Sequence, residues 1–292
     1  MHRNARELEL AIWKALFEGG ESRAVADALL FYQNDDGGFG HGVDMDNWNP
    51  NSVPYNCLFV LEQLRMVGFE DMSHSVFAGI KKYLNATGPE QWHFTIPSNQ
   101  DYPHAVFHSY GEEYNKVESI GIIIGLSAFV IEYCRELPVY EKVLGILDEY
   151  ISKFQNDNLG DMGPSGYITL ISAMKKVGLS GYDYNALEER LSKVVNNTIQ
   201  RNPVQWQQYG YRPSEFIKSK DSQFYKENED IVEQELDFLV DTLPENDIWP
   251  VSWSWFQEGK VYPKEEAISL RVSQARKGIE KMIFLKAFGR VH

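Results

Sequence analysis

Gln33-Asn34-Asp35-Asp36-Gly37-Gly38-Phe39-Gly40 is the stretch whose reading decides the fold, because a degraded copy returns later as Gln155-Asn156-Asp157-Asn158-Leu159-Gly160. Each copy lies between two helix-like segments. A second junction also recurs, as Pro89-Glu90-Gln91-Trp92 and Pro203-Val204-Gln205-Trp206, so the order along the chain is A, B, A, B. Repetition on this scale implies one supersecondary unit used several times, with neighbouring units burying each other's apolar faces. The turn chemistry fits helix–turn–helix units. Asp35-Asp36-Gly37-Gly38 offers positive-φ residues after a helix, and Pro54 suits the first turn of the next one.

Working outward, helical periodicity dominates. Val143, Leu147, Tyr150, Ile151 and Phe154 mark one face over 139–155. Leu187, Leu191, Val194, Val195 and Ile199 mark another, and Val232, Leu236, Leu239, Val240 and Leu243 a third over 229–243. These helices carry charge opposite the apolar stripe and read as half-solvated. Segments 53–66, 119–134 and 164–178 are apolar or small on most sides and read as buried. Gly121 and Gly125 would let a neighbouring helix approach closely. Alternating exposed and buried helices imply an outer layer around an inner one. Two stretches break the rhythm, His93 to Val117 and Gln205 to Gln223. Loops that long in a compact domain usually serve a function. Beyond short pieces such as Phe94-Thr95-Ile96, no alternating strand pattern appears, and no low-complexity linker divides residues 1–292. A single all-α domain is expected.

Composition narrows the partners. Asp+Glu 42 against Lys+Arg 28 gives a net charge of −14, which opposes nucleic acid and anionic membrane surfaces. The chain is rich in aromatic residues, at 13%, and can bury a sizeable core. Cys57 and Cys134 sit in apolar runs without a Cys-x-x-Cys pair, pointing to a reducing, cytoplasmic setting. The N-terminus leads into an amphipathic helix with no signal-peptide core. The longest apolar run, Ile120 to Ile131, falls short of the roughly 20 residues of a membrane span.

The repeat motif between an outer and an inner helix resembles that of the terpenoid cyclase and protein prenyltransferase superfamily. Asp247-Ile248-Trp249-Pro250, followed by Ser252-Trp253-Ser254-Trp255, looks like a further variant. The resemblance implies an α/α toroid of five to six helical hairpins around a deep, aromatic and acidic cleft. It also implies an isoprenoid as the small-molecule ligand, with a carbohydrate as the alternative on a similar helical barrel. The zinc site of prenyltransferase β-subunits needs Asp two positions before a Cys. Tyr55 and Glu132 stand there instead, so no metal and no cofactor are expected. Asp44-Met45-Asp46-Asn47 is one residue short of the Asp-x-Asp-Asp motif of class II terpene cyclases. On that resemblance Asp46 would be the proton donor, its pKa raised by an apolar pocket, and Asp44 its support. The alternative is a turn in which Asp44, Asp46 and Asn47 cap the next helix.

Asp36, Trp48, Trp92, His104, Trp206 and Trp253 complete the candidate ligand-binding set, since Trp at repeated hairpin junctions is how toroids line a central cavity. Asp36 also reads as a structural turn, and the tryptophans as packing. His104, His108 and Glu112 are spaced four apart, which on a helix would align two imidazoles with a carboxylate. However, Gly111 disfavours such a helix, and the Glu of a His-Glu-x-x-His motif is absent. No phosphate loop and no nucleophile elbow occurs. Two other functions remain open. A carbohydrate-active enzyme on a similar barrel would pair Asp46 with Glu112 or Glu215. A non-catalytic scaffold would keep the toroid with its cleft plugged.

Overall fold

A computed structural model describes residues 1–2, 5–156, 158–245, 248–256 and 259–291. Eleven α-helices occur among them. They are α1 (Glu7–Phe17), α2 (Arg23–Leu29), α3 (Pro54–Met66), α4 (Ser75–Thr87), α5 (Glu112–Tyr133) and α6 (Pro138–Lys153), followed by α7 (Gly163–Lys176), α8 (Tyr184–Thr198), α9 (Pro213–Phe216), α10 (Tyr225–Asp241) and α11 (Pro263–Ala287). There is no strand among the described residues. Two isolated bridges join Gln33 to Phe39 and Asn47 to His104.

The two expected kinds of helix are present. In α5 every residue from Ser119 to Ile131 is buried, whereas α6 buries only Val139, Val143, Leu147 and Tyr150. α2, α4 and α6 pack in succession, as do α3, α5 and α7, and α2–α3, α5–α6 and α7–α8 join the two layers. The contact between α5 and α7 is the most extensive. Glycine makes it so: a Cβ on Gly121 would lie 2.5 Å from Met162, and one on Gly166 would lie 2.7 Å from Ile124. The first and last helices, α1 and α11, also pack together, and Lys286 donates to the Leu16 carbonyl at 3.2 Å.

Both copies of the repeated turn are tied down by the next half-solvated helix. In the first, Gln33 donates to the carbonyls of Gly37 (3.0 Å) and Val76 (3.1 Å), and Lys82 of α4 donates to Asp35 (2.7 Å). In the second, Arg190 of α8 takes over, donating to the carbonyls of Phe154 (3.0 Å), Gln155 (3.3 Å) and Asn156 (2.9 Å). Asp157 of this copy, and Asp247 of the third variant, lie outside the described residues. The Pro-x-Gln-Trp junctions also match. Each forms a 3-10 turn opened by proline, followed by or containing a buried tryptophan whose indole N–H is satisfied close by in sequence: Trp92 to Thr87 Oγ1 (2.9 Å) and Trp206 to the Gln200 carbonyl (2.7 Å).

Three expectations change. The irregular stretch from His93 ends at Gly111, because extended Gly111 caps α5 and Glu112 and Glu113 favour its positive N-terminal end. The second irregular stretch contains α9, a single turn of helix. α5 as a whole is long and apolar enough to cross a membrane, yet 78% of its apolar window is buried in the fold. Cys57 and Cys134 are buried and unpaired.

Candidate functional site

The segment between the first repeat motif and α3 is held by side chains that bond the backbone two residues on. Asp44 Oδ1 accepts from the Asp46 N–H (3.1 Å), Asn47 Oδ1 from Asn49 (3.2 Å), and Asn49 Oδ1 from Asn51 (3.0 Å). These residues make turns, as one sequence reading expected, but they do not cap the following helix. Val53 stands at that position with no side-chain bond. Arg6 of the N-terminal segment clamps the loop, donating to the carbonyls of Gly42 (2.5 Å) and Val43 (3.1 Å).

Asp46 is buried and receives three donors from the far end of the chain. Trp255 Nε1 donates to Oδ1 at 2.7 Å, Trp253 Nε1 donates to Oδ2 at 3.1 Å, and the Ser269 hydroxyl also meets Oδ1. Asp44 pairs with His108 Nε2 at 2.9 Å. The His108 ring lies among Tyr55, Phe94 and Phe107 at centroid distances of 5.6, 5.1 and 5.1 Å. Burial and the neighbouring Asp44 charge push the Asp46 carboxyl up, against the Ser269 and Trp255 bonds. Burial acts on Asp44 too, but His108 and the Asp46 N–H outweigh it and hold Asp44 below the usual range. The two carboxyls are thus driven apart, the electrostatic pattern expected of an acid and its support. Trp253, one of the Asp46 donors, also lines a cavity.

That cavity, of about 620 Å³, lies between α3, α7 and α11 and is bounded by segments 209–218 and 250–253. The one-turn α9 sits in its wall. Apolar surface comes from Met66, Ile168, Phe216, Trp253, Ile283 and Phe284. Six cations line it, Arg65, Arg212, Lys218, Arg276, Lys277 and Lys281, against three carboxylates, Glu62, Glu215 and Glu280. The expected acidic cleft is therefore basic, in a chain whose net charge is −14. Glu280 is consumed locally. It accepts from Arg276 Nε (3.1 Å) and Lys277 Nζ (2.6 Å), and these cations hold it down at about 2 despite burial. Arg65, Arg212, Lys218 and Lys281 have no carboxylate oxygen within 4.0 Å among the described residues. Behind the wall, Glu235 of α10 accepts from Ser214 N–H (2.7 Å) and Oγ (2.6 Å), and burial raises it to about 7.

The other expected ligand-binding residues do not converge here. Trp92 and Trp206 are enclosed in the core, Trp206 edge-on to Phe238 with centroids 5.4 Å apart. Trp48 is half-buried and bonds the Met45 carbonyl at 3.0 Å. Asp36 is exposed and caps its own turn, accepting from Gly38 N–H (2.8 Å) and Ser52 Oγ (2.7 Å). His104 is buried, with Nδ1 2.7 Å from the Tyr102 carbonyl and Nε2 3.1 Å from Ser109 Oγ. No group of three or more metal-ligating side chains occurs among the described residues, and His104, His108 and Glu112 do not share a helix. Neither carboxylate pair of the carbohydrate reading assembles at the cavity. Asp46 is sealed, Glu112 opens α5 elsewhere, and only Glu215 lines the wall.

Of the expected residues, then, Asp44 and Asp46 form one knot and Trp253 links it to the cavity. Sequence reasoning missed α11 altogether, and with it Ser269, Arg276, Lys277, Glu280 and Lys281. The available signal was Pro263 followed by Ser269, Val272, Ser273, Arg276, Ile279, Glu280 and Phe284 at helical spacing. Comparison with family models, curated proteins and solved structures finds no match to this chain.

Proposed function

We propose that the two helix layers close into an α/α toroid whose basic cavity binds a small anion carrying an apolar body, of the isoprenoid diphosphate class. The observation that carries this reading is the gathering of six lysines and arginines on one cavity of an acidic chain, four of them lacking a carboxylate within 4.0 Å among the described residues. Arg212 and Lys281 are half-buried and Arg65 and Lys218 exposed, a cluster of like charges that an anion would relieve, and arginine suits phosphate oxygens geometrically. Phe216, Trp253, Ile283 and Phe284 offer surface for a hydrocarbon tail. Closure into a toroid is supported by α1 packing on α11 and by Asp46 holding Trp253 and Trp255. The resemblance of the Gln33–Gly40 motif to terpenoid cyclases and prenyltransferases points the same way. In this reading Asp46 anchors the cavity wall through Trp253 and is not the proton donor. A plugged scaffold would leave no space of this size.

The test is a thermal-shift series with geranyl diphosphate, pyrophosphate, geraniol and a neutral oligosaccharide. A ligand at about 100 times its Kd stabilises by about 2.7 kcal/mol. Geranyl diphosphate should raise Tm most, pyrophosphate less, and geraniol and the oligosaccharide little. A shift with the oligosaccharide and none with either diphosphate would overturn the proposal.

A further inference from the structure

Lys281, on the cavity wall, makes no ion pair within 4.0 Å among the described residues. It follows Lys277 by one turn of α11, so the two ammonium groups share a helix face and repel. Among the described residues, the neighbouring carboxylates are engaged elsewhere: Glu280 by Arg276 and Lys277, and Glu235 by the Ser214 N–H and hydroxyl. The Lys281 ammonium instead lies over the Trp249 ring, 5.3 Å from its centroid, a cation–π contact and not an ion pair. Desolvation, Arg212 and Lys277 together lower its pKa to about 8. At pH 7 roughly a tenth of such an amine is unprotonated, about two hundred times the share of an ordinary lysine. A half-buried amine among other cations, on a cavity wall, has the surroundings that activate lysine nucleophiles.

We propose that Lys281 forms an imine with the carbonyl carbon of a small anionic aldehyde or ketone, whose negative group is held by Arg65, Arg212 or Lys218. This rests on the cavity's being an anion site, and adds a covalent function to it. The neutral amine attacks the carbonyl carbon, a C–N bond forms, and the carbonyl π pair moves to oxygen. Proton transfer from nitrogen to oxygen gives a neutral carbinolamine. Protonation of its hydroxyl then lets the C–O bond break and water leave, with the nitrogen lone pair completing a protonated imine. No oxidant or reductant is required.

Pyridoxal 5′-phosphate, an aldehyde bearing a phosphate, is the probe. Wild-type protein is incubated with it, reduced with borohydride and mapped by peptide mass spectrometry. The expected result is one predominant adduct on Lys281, suppressed at least tenfold by excess pyrophosphate and formed far less with pyridoxal lacking the phosphate. Lys281→Arg should retain the wild-type circular dichroism and lose the adduct. If that variant does not fold, Lys281→Met or the wild-type map alone decides. Protection and a Tm rise by pyrophosphate, with labelling spread over other lysines, would overturn the imine and leave the anion site standing. Labelling of Lys281 that pyrophosphate neither suppresses nor accompanies with a Tm rise would instead overturn the anion site, and with it the class of carbonyl compound proposed.

Discussion

Replacing Asp46 with alanine separates an anchoring carboxylate from a dedicated acid. The substitution removes the acceptor of three donors that lie far away in sequence. Trp255 and Ser269 are almost wholly buried, at 2% and 1% exposure, so their N–H and O–H groups lose an acceptor where water does not reach. Each buried donor left unsatisfied costs about 1–3 kcal/mol. Trp253 is half-buried beside the cavity and can be hydrated, so it adds little. Part of the loss is offset, because burial and the Asp44 charge disfavour the Asp46 carboxylate in the native fold. The net expectation is a destabilisation of roughly 2–4 kcal/mol, a fall in Tm of roughly 3–7 °C for a domain of this size. Asp46→Asn keeps one acceptor and should lose about half as much. Urea unfolding followed by tryptophan fluorescence reads both the midpoint and the environment of Trp253 and Trp255. A dedicated proton donor would lose turnover with the midpoint nearly unchanged. An Asp46→Ala midpoint equal to wild type would refute the anchoring role.

Four further substitutions test separate parts of the fold. Glu235 is raised from about 4.5 to about 7 on folding, so its contribution is full below about pH 4.5 and is lost as pH rises through 7. Wild type should therefore lose about 3 kcal/mol more than Glu235→Gln between pH 4 and pH 8 in urea unfolding, and equal pH slopes would contradict this. Gly37 has φ +91°, and a Cβ there would meet the Gly79 carbonyl oxygen at 2.1 Å, whereas Gly68, at φ +64°, has nothing within 4 Å. Gly37→Ala should cost more than about 2 kcal/mol and Gly68→Ala only about 1, with equal losses by thermal denaturation counting against the close approach. Arg190→Ala removes three bonds to turn carbonyls and should cost roughly 1–3 kcal/mol. Hydrogen exchange should accelerate at residues 154–163, and unchanged exchange there would remove Arg190 from its role in the repeat.

The helical scaffold was legible where one period decided the environment. α6, α8 and α10 wrote their buried faces at helical spacing, α3, α5 and α7 were apolar nearly throughout, and Gly121 marked the close contact with α7. The repeated junctions were legible because each is built from near neighbours in sequence, such as Trp92 with Thr87. α11 carried helical spacing but was masked by its charges, since Arg276, Lys277 and Glu280 neutralise one another on a face that reads as solvated in a linear sequence. Asp46 was found, but its partners lie 207 to 223 residues away, and no local pattern foretells such a contact. Nor does residue type reveal which way an indole faces. Trp92 and Trp206 close the core, while Trp253 meets the cavity.

A crystal structure with geranyl diphosphate at saturating concentration tests the central claim most directly. The account predicts diphosphate oxygens within hydrogen-bond distance of at least two of Arg65, Arg212, Lys218 and Lys281, with the hydrocarbon tail against Trp253 and Phe284. Diphosphate bound only outside this cavity, or a cavity still without ligand when binding elsewhere is saturated, would contradict it.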